Sequence, residues 1–504
     1  MQRAGPITEL QTQNELLKAE VERLKGMILL LNRSKFGSTS ERLTDLESSQ
    51  LMFNEIEKEA SLLAPPDEME TITYDRKRGR GKKRPFPEHL EREERVIDLL
   101  ESEKFCPHDQ TPLKEIGEEV SEKLKAVPAK FSLLVEIKKK YACPTCESHV
   151  VQAKSPSILP GTTATPELLS YLIFSKFFQG LPLYRLEELF KLNGIGLKRG
   201  TMARWLIQVK DELIPVYNLL QDKAFESRYM AIDATSVQVL KEPGRKAQTK
   251  SFMWVRGSPE RGIVLFDYDP SGGGKTAKNL MTEYKGALQA DAHRGYGALP
   301  KEDILLLGCM MHSRRRFEEA YVIGKKKPGL AAEALALFKW LYDKEADYKK
   351  RGLTPRERKE IREREIRPSL MVIKEWAELK LPKVLKSSPI GNALNYFIHE
   401  FDELSAFLED GRYEMDNGWV ERAIRKFAIG RNNWMFCDSV EGAHASGVLY
   451  SLVMTAKLNG KDPYKVMTEI FTQLPHAKTA EDYEKLTEHL LSPKNPLSCQ
   501  KKEG

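Results

Sequence analysis

The chain has 504 residues, with 80 Lys and Arg against 73 Asp and Glu, a formal charge of +7. That excess is too small for a polycationic protein, so any basic function must be local. Apolar residues at 41% and charged residues at 30% exclude a wholly disordered or fibrous chain, and at ~100–200 residues per domain the length excludes a single compact domain. The longest charge-free apolar stretch, residues 442–456, falls short of the ~20 residues a membrane span needs. The N-terminus carries no basic, apolar and small-residue leader pattern, and six cysteines make no disulfide framework. The expectation is a folded cytosolic protein with no membrane association.

Residues 1–46 read as a leucine-zipper coiled coil. Leu10, Leu17, Leu24 and Leu31 form one heptad series and Ile7, Asn14, Val21 and Ile28 the other. β-Branched residues at a with Leu at d favour a parallel two-stranded coil, and a single polar Asn14 at a fixes its register. A homodimer follows, with Glu20 at g facing Lys25 at e of the partner helix. A helix packed on its own domain would show a wider stripe.

Residues 47–100 read as a linker with a basic arm. Arg76, Lys77, Arg78, Arg80, Lys82, Lys83 and Arg84 make seven basic residues in nine, and Gly79 and Gly81 keep the arm from being a stable helix. Such an arm can lie on DNA phosphates, or it can be a solvated charge run. Residues 101–155 read as a small zinc-ribbon-like domain. Cys143 and Cys146 have the C-x₂-C spacing that converges two thiolates on one tetrahedral Zn²⁺, while the first knuckle has Cys106 with His108, or Asp109 in its place, as the fourth ligand. A metal-free hairpin with reduced thiols is the alternative.

In residues 156–225 the apolar positions recur at helical spacing. Residues 183–191, the turn 192–196 and a helix opening at Thr201 have the form of a helix-turn-helix, with Lys198, Arg199 and Arg204 placed to face DNA. Helical hairpins also serve purely structural roles.

After residue 228 the period changes to that of strands. Residues 229–233 form a short apolar strand ending in Asp233, followed by 236–240, 251–255 and 262–266 in a meander. The glycine-rich 271–275 lacks P-loop spacing and reads as a turn before a helix. Residues 288–291 form a further strand ending in Asp291, and 304–308 another, leading into a basic helix with Arg314 and Arg315. This order is that of a ribonuclease H-like α/β catalytic domain over residues 226–475, in which Asp233 and Asp291 lie side by side. Adjacent carboxylates repel unless cations sit between them. Two Mg²⁺ ions (or Mn²⁺) ~3.5–4 Å apart would satisfy them and serve phosphodiester chemistry. The third acid is expected in 412–422, where Asn417 caps a helix carrying Glu421 beside Arg422 and Arg425. Residues from about 320 to 400 are strongly charged at helical spacing and read as an inserted helical subdomain with a solvated face. Residues 476–504 read as a tail.

These residues give the chain a close resemblance to transposases of the bacterial insertion-sequence 66 family. The blocks that carry it are Cys106-Pro-His-Asp109 with Ile116-Gly-Glu-Glu-Val120, Val127-Pro-Ala-Lys130, Lys140-Tyr-Ala-Cys-Pro-Thr-Cys146, Asp233-Ala-Thr235, Gln289-Ala-Asp-Ala-His-Arg-Gly-Tyr296, Gly308-Cys-Met-Met-His-Ser-Arg-Arg-Arg-Phe317, and Asp416-Asn-Gly-Trp-Val-Glu-Arg-Ala-Ile-Arg425 with Ile429-Gly-Arg-Asn-Asn-Trp434. The sequence departs from the family's pattern at Asp109, where a second Cys is often found, and at Asn432, where a Lys is expected beside Arg431. The resemblance implies a DDE triad of Asp233, Asp291 and Glu421, the acids also chosen by their positions. It further implies DNA element ends and target DNA as substrates, accessory proteins of the same element as partners, and a place at the bacterial nucleoid. The expected function is a DNA transposase. The alternatives are a ribonuclease H-like nuclease without strand transfer, or a DNA-binding regulator with a decayed catalytic fold.

Overall fold

The computed structural model describes residues 130–142, 150–152, 156–291, 296–297 and 299–492. The expected zipper, the basic arm and the zinc ligands Cys106, His108, Asp109, Cys143 and Cys146 lie outside these residues. Two three-residue strands, β1 (Lys140–Ala142) and β2 (Val150–Gln152), come first.

The helical segment that follows begins with α1 (Pro166–Ile173), opened by the Thr165 side chain accepting from the Leu168 N–H and by Pro166 in the first turn. Next are α2 (Leu183–Leu192) and the 27-residue α3 (Arg199–Phe225). The expected helix start at Thr201 therefore lies two residues early, at Arg199. Leu186 and Phe190 of α2 and Met202, Trp205 and Leu206 of α3 are buried. Residues 151–492 fall within one compact unit, in which α3 is joined to the sheet. Tyr217 of α3 donates its hydroxyl proton to Asp267 Oδ1 (2.5 Å), and the fully buried Arg256 guanidinium donates to the same carboxylate (Nε to Oδ2, 2.9 Å) and to Gln221 of α3.

The sheet is mixed. β3 (Tyr229–Lys241) is one 13-residue strand where the sequence suggested two, because the pairing with β4 (Lys250–Ser258) runs without a break from Ala231 to Gln238. β5 (Ile263–Asp269) completes the antiparallel meander. After α4 (Gly274–Leu280), β6 (Gly286–Gln289) pairs parallel to β3 and β7 (Ile304–Leu307) parallel to β6. The strand order is β5-β4-β3-β6-β7. The far half of β3 pairs parallel with the short β8 (Cys437–Ser439).

From β7 the chain enters α5 (Met310–Ile323) and then the expected insertion, α6 (Leu330–Arg351), α7 (Pro355–Ile361), α8 (Arg367–Lys380), α9 (Pro389–His399) and α10 (Phe401–Ser405). Phe317, Phe338, Phe397 and Phe401 share its core. Its charges are not all on a solvated face, as the sequence suggested. Arg362, fully buried, forks onto Glu345 (2.7 and 2.8 Å) and donates to the carbonyls of Phe407 and Tyr413 (3.1 and 3.0 Å), while Arg358 bridges Glu345 and Glu414. Buried charges persist when paired and fully hydrogen-bonded, and these pin residues 407–414, the approach to the next helix.

That helix is α11 (Gly418–Trp434), followed by α12 (Val440–Leu458), α13 (Pro463–Gln473) and α14 (Ala480–Glu488). α12 is the charge-free apolar stretch, buried on nearly all sides. It covers the open edge of β5: Ser451 Oγ accepts from the Phe266 N–H (2.8 Å), and Thr455 Oγ1 accepts from the Val264 N–H and donates to the Val264 carbonyl, both at 3.2 Å. An uncovered edge would offer those groups to another chain. Part of the expected tail is folded, since Leu486 and Leu490 are buried. No helix among the described residues is long and apolar enough to cross a membrane.

Candidate active site

β3 and β6 run parallel with Ala231 opposite Gln289. Two residues further along each strand direction stand Asp233, still within β3, and Asp291, just past the end of β6. Side chains two apart share one face of a strand. Residues 232–238 of β3 lie between its pairings with β6 and with β8, and α11 reaches this span. Asn417 donates from Nδ2 to the Ile232 carbonyl (2.9 Å), and Arg431, 14 residues on, donates from Nη1 to Thr235 Oγ1 (3.0 Å) and to the Ser236 carbonyl. α11 is thus fastened at both ends to the strand that carries Asp233, which brings Glu421, in its first turn, to the acid pair.

Asn417 was expected to cap α11 with its side chain. It occupies the N-cap position, but its amide is used on β3, and Asp416 Oδ1 accepts the Gly418 N–H instead (3.0 Å). The start of α11 is also tied to the start of α5: the Met310 N–H donates to the Met415 carbonyl (3.0 Å) and the Asn417 N–H to Cys309 Sγ (3.2 Å).

Asp233, Asp291 and Glu421 are each half-buried. The Asp233 carboxyl is pushed up to about 7, first by burial, then by the charge of Asp291 and, more weakly, of Glu421; the Ala234 N–H, which donates to its Oδ1 (2.7 Å), and the Arg315 charge oppose this without cancelling it. A carboxylate that two neighbouring acids disfavour is one that a cation would favour. The donor set is oxygen, as Mg²⁺ requires, and the buried Asn417 Oδ1 has no hydrogen-bond partner among the described residues. These residues fit a divalent metal centre. Tyr296, buried edge-on against Trp254, has its hydroxyl held well above its usual range by burial and by Asp233 and Asp291.

The expected DNA contacts divide. Lys198 and Arg199 stand largely exposed at the start of α3, loosely paired with Glu187 (3.8 and 3.9 Å), and Arg204 is exposed. Arg315 and Arg422 are exposed, and Arg425 is half-buried. Arg314 pairs with Glu318 (3.3 Å). Arg431 has its guanidinium engaged on β3. Sequence reasoning gave no role to Cys309 and His312, although the C-x₂-H spacing across a helix start was there to be read. One donor atom each from Cys309, His312 and Glu421 lie within 4.8 Å of one another.

Residues 161–445 match the model described as the transposase IS66 family, and residues 103–147 match its zinc-finger binding domain. Residues 23–95 match a model described as transposase C of IS166 homeodomain, and 451–487 match the IS66 C-terminal element. The chain belongs to the IS66 transposase family. Among its relatives in Sinorhizobium fredii are the uncharacterized protein y4qI, 29% identical over 96% of this chain and 91% of the relative, and the uncharacterized protein y4jD, 28% identical over 93% and 96%.

Proposed function

We propose that the protein is a DDE transposase that cuts DNA at the ends of its insertion sequence and joins them to target DNA, with Asp233, Asp291 and Glu421 as the acids that hold two Mg²⁺ ions. The observation that carries this is the parallel pairing of Ala231 with Gln289, each two residues before an acid, Asp233 and Asp291, with the charges of Asp291 and Glu421 both felt at Asp233. Family membership supports the transposase role. The strand order β5-β4-β3-β6-β7, with three antiparallel strands and then two parallel to β3, supports a ribonuclease H-like reading of the sheet.

Asp233, Asp291 and Glu421 would hold the divalent ions, which when bound would supply activation of an attacking oxygen and stabilisation of a leaving one. In the first step water attacks phosphorus at the element end, the P–O3′ bond breaks, and the element keeps a free 3′-hydroxyl. In the second, that hydroxyl attacks a target phosphodiester, and the target's own 3′-oxygen leaves. The protein's part is positional: β3 and β6 fix two carboxylates, α11 presents the third, and exposed Arg315 and Arg422 offer charge to the backbone phosphates. The exposed Lys198, Arg199 and Arg204 at α3, with the basic arm at 76–84, would hold DNA outside the centre. The zinc-finger match supports Zn²⁺ on Cys143, Cys146, Cys106 and His108 or Asp109, and the zipper supports a dimer suited to two ends.

Purified protein incubated with its element ends, target DNA and Mg²⁺, with products mapped by strand, tests the reading. Joined products carrying the element 3′ end are expected. Cleavage without joining would favour a plain nuclease, and binding without cleavage a regulator.

A further inference from the structure

The start of α5 brings a second kind of donor to Glu421. Cys309 precedes the helix and His312 lies three residues on, a spacing that puts two side chains on one helix face. The His312 N–H bonds the Cys309 carbonyl (3.1 Å), and the three donor atoms of Cys309, His312 and Glu421 lie within 4.8 Å of one another. Cys309 is fully buried, and its sulfur accepts the Asn417 N–H (3.2 Å); burial and the Glu421 charge push its thiol up, so a cation is needed to hold it as thiolate. Among the described residues His312 Nδ1 is buried without a hydrogen-bond partner, an expensive arrangement for an imidazole with no further use. Thiolate, imidazole and carboxylate together suit Zn²⁺, whose ~2.0–2.3 Å bonds put tetrahedral donors ~3.5 Å apart, and not Mg²⁺, which takes oxygen. To bind it, the half-buried His312 and Glu421 side chains would rotate inward to close the difference, with water as the fourth ligand.

We propose that Cys309, His312 and Glu421 form a zinc site that captures the third acid and withholds it from the Mg²⁺ centre. Binding releases the Cys309 thiol proton to solvent. The carboxylate then serves one metal or the other, so zinc holds the enzyme inactive until it is removed. The site stands on the donor geometry alone; its inhibitory consequence rests on the reading of Glu421 as the third acid.

The test uses full-length protein dialysed against buffered free Zn²⁺, with metal per chain counted by elemental analysis. Wild-type protein is expected to hold one zinc per chain more than Cys309→Ser or His312→Gln, whatever the N-terminal knuckles bind in all three. Co²⁺ titration should give more thiolate charge-transfer absorbance in wild type than in Cys309→Ser. Because Cys309 is buried and its replacement can cost folding, the half-buried His312→Gln is the second variant, and thermal unfolding is compared for all three. Equal zinc in folded wild type and His312→Gln would overturn the site. For each protein the ratio of Mg²⁺-dependent cleavage with and without zinc is then read. A fall of tenfold or more in wild type, absent in His312→Gln, is expected; zinc bound without loss of cleavage would overturn the capture of Glu421. If wild type shows no Mg²⁺-dependent cleavage at all, the functional reading fails, and the zinc count still decides the site.

Discussion

Asp416 and Glu421 flank the same helix start, and they are engaged differently. Asp416 Oδ1 takes the Gly418 N–H, a task that an amide oxygen performs as well, whereas the Glu421 charge raises Asp233. Asp416→Asn is therefore expected to keep cleavage within a few-fold of wild type in a gel assay of end-labelled substrate. A loss of a hundredfold, ~2.7 kcal/mol of barrier, would make Asp416 the third acid. Asp233 and Asp291 were legible in the sequence because each ends an apolar run, and Glu421 because it falls one turn into a helix. Asn417 was half legible. Its place before the helix was read correctly, but a cap and a long-range bond to the Ile232 carbonyl have the same local sequence, and only the fold separates them. Arg431 likewise read as a cation for DNA, while the structure engages it on β3, 195 residues earlier in the chain.

At the scale of elements, α12 and the insertion carry the informative strain and charge. A Cβ on Gly447 would sit 2.6 Å from the Phe266 carbonyl oxygen, whereas one on Gly442 meets nothing closer than Ser439 Oγ at 3.4 Å. Alanine in a helix interior gains ~1 kcal/mol over glycine. At Gly447 that gain is opposed by overpacking of ~1–3 kcal/mol and by the Ser451 and Thr455 bonds to β5, ~1 kcal/mol each. Gly447→Ala should lower stability by ~2 kcal/mol in urea unfolding, while Gly442→Ala should be neutral or stabilising. Equal effects would mean that α12 does not press on β5.

The buried ion network of the insertion makes a pH prediction. Arg358 and Lys349 draw the Glu414 carboxyl down to about 2 against the cost of burial, and Arg362 and Arg358 lower Glu345 in the same sense. A carboxyl whose folded value is depressed adds stability that is fully present above the unfolded value of ~4.3 and is lost as pH falls through the folded one. The urea midpoint should fall between about pH 5 and pH 2, and less steeply in Glu414→Gln. Parallel slopes would remove Glu414 from that linkage. The charge runs of 349–365 gave the sequence no means of telling a buried Arg362 from an exposed Arg364, since burial is fixed by helices that arrive 45 residues later.

For the whole molecule, the order of elements was more legible than its division. The succession of strands and the inserted helices followed from periodicity and charge, but the joining of α3 to the sheet did not, because it rests on Tyr217, Arg256 and Asp267, which are brought together only by the fold. The self-association signal is the zipper, outside the described residues. Leu17→Glu with Leu24→Glu should give monomers in sedimentation, as charge at d positions breaks the seam. An unchanged dimer would place the interface elsewhere in the chain.

In the proposed function three acids, and not the cations placed to face DNA, carry a metal-dependent reaction. Asp233→Asn, Asp291→Asn and Glu421→Gln each remove one ligand charge at nearly constant shape. With labelled element ends and Mg²⁺, each variant is expected to lose cleavage by more than a hundredfold while binding the same DNA within a few-fold of wild type. Cleavage within tenfold of wild type, ~1.4 kcal/mol, for any one of the three would contradict the assignment of that residue and with it the triad.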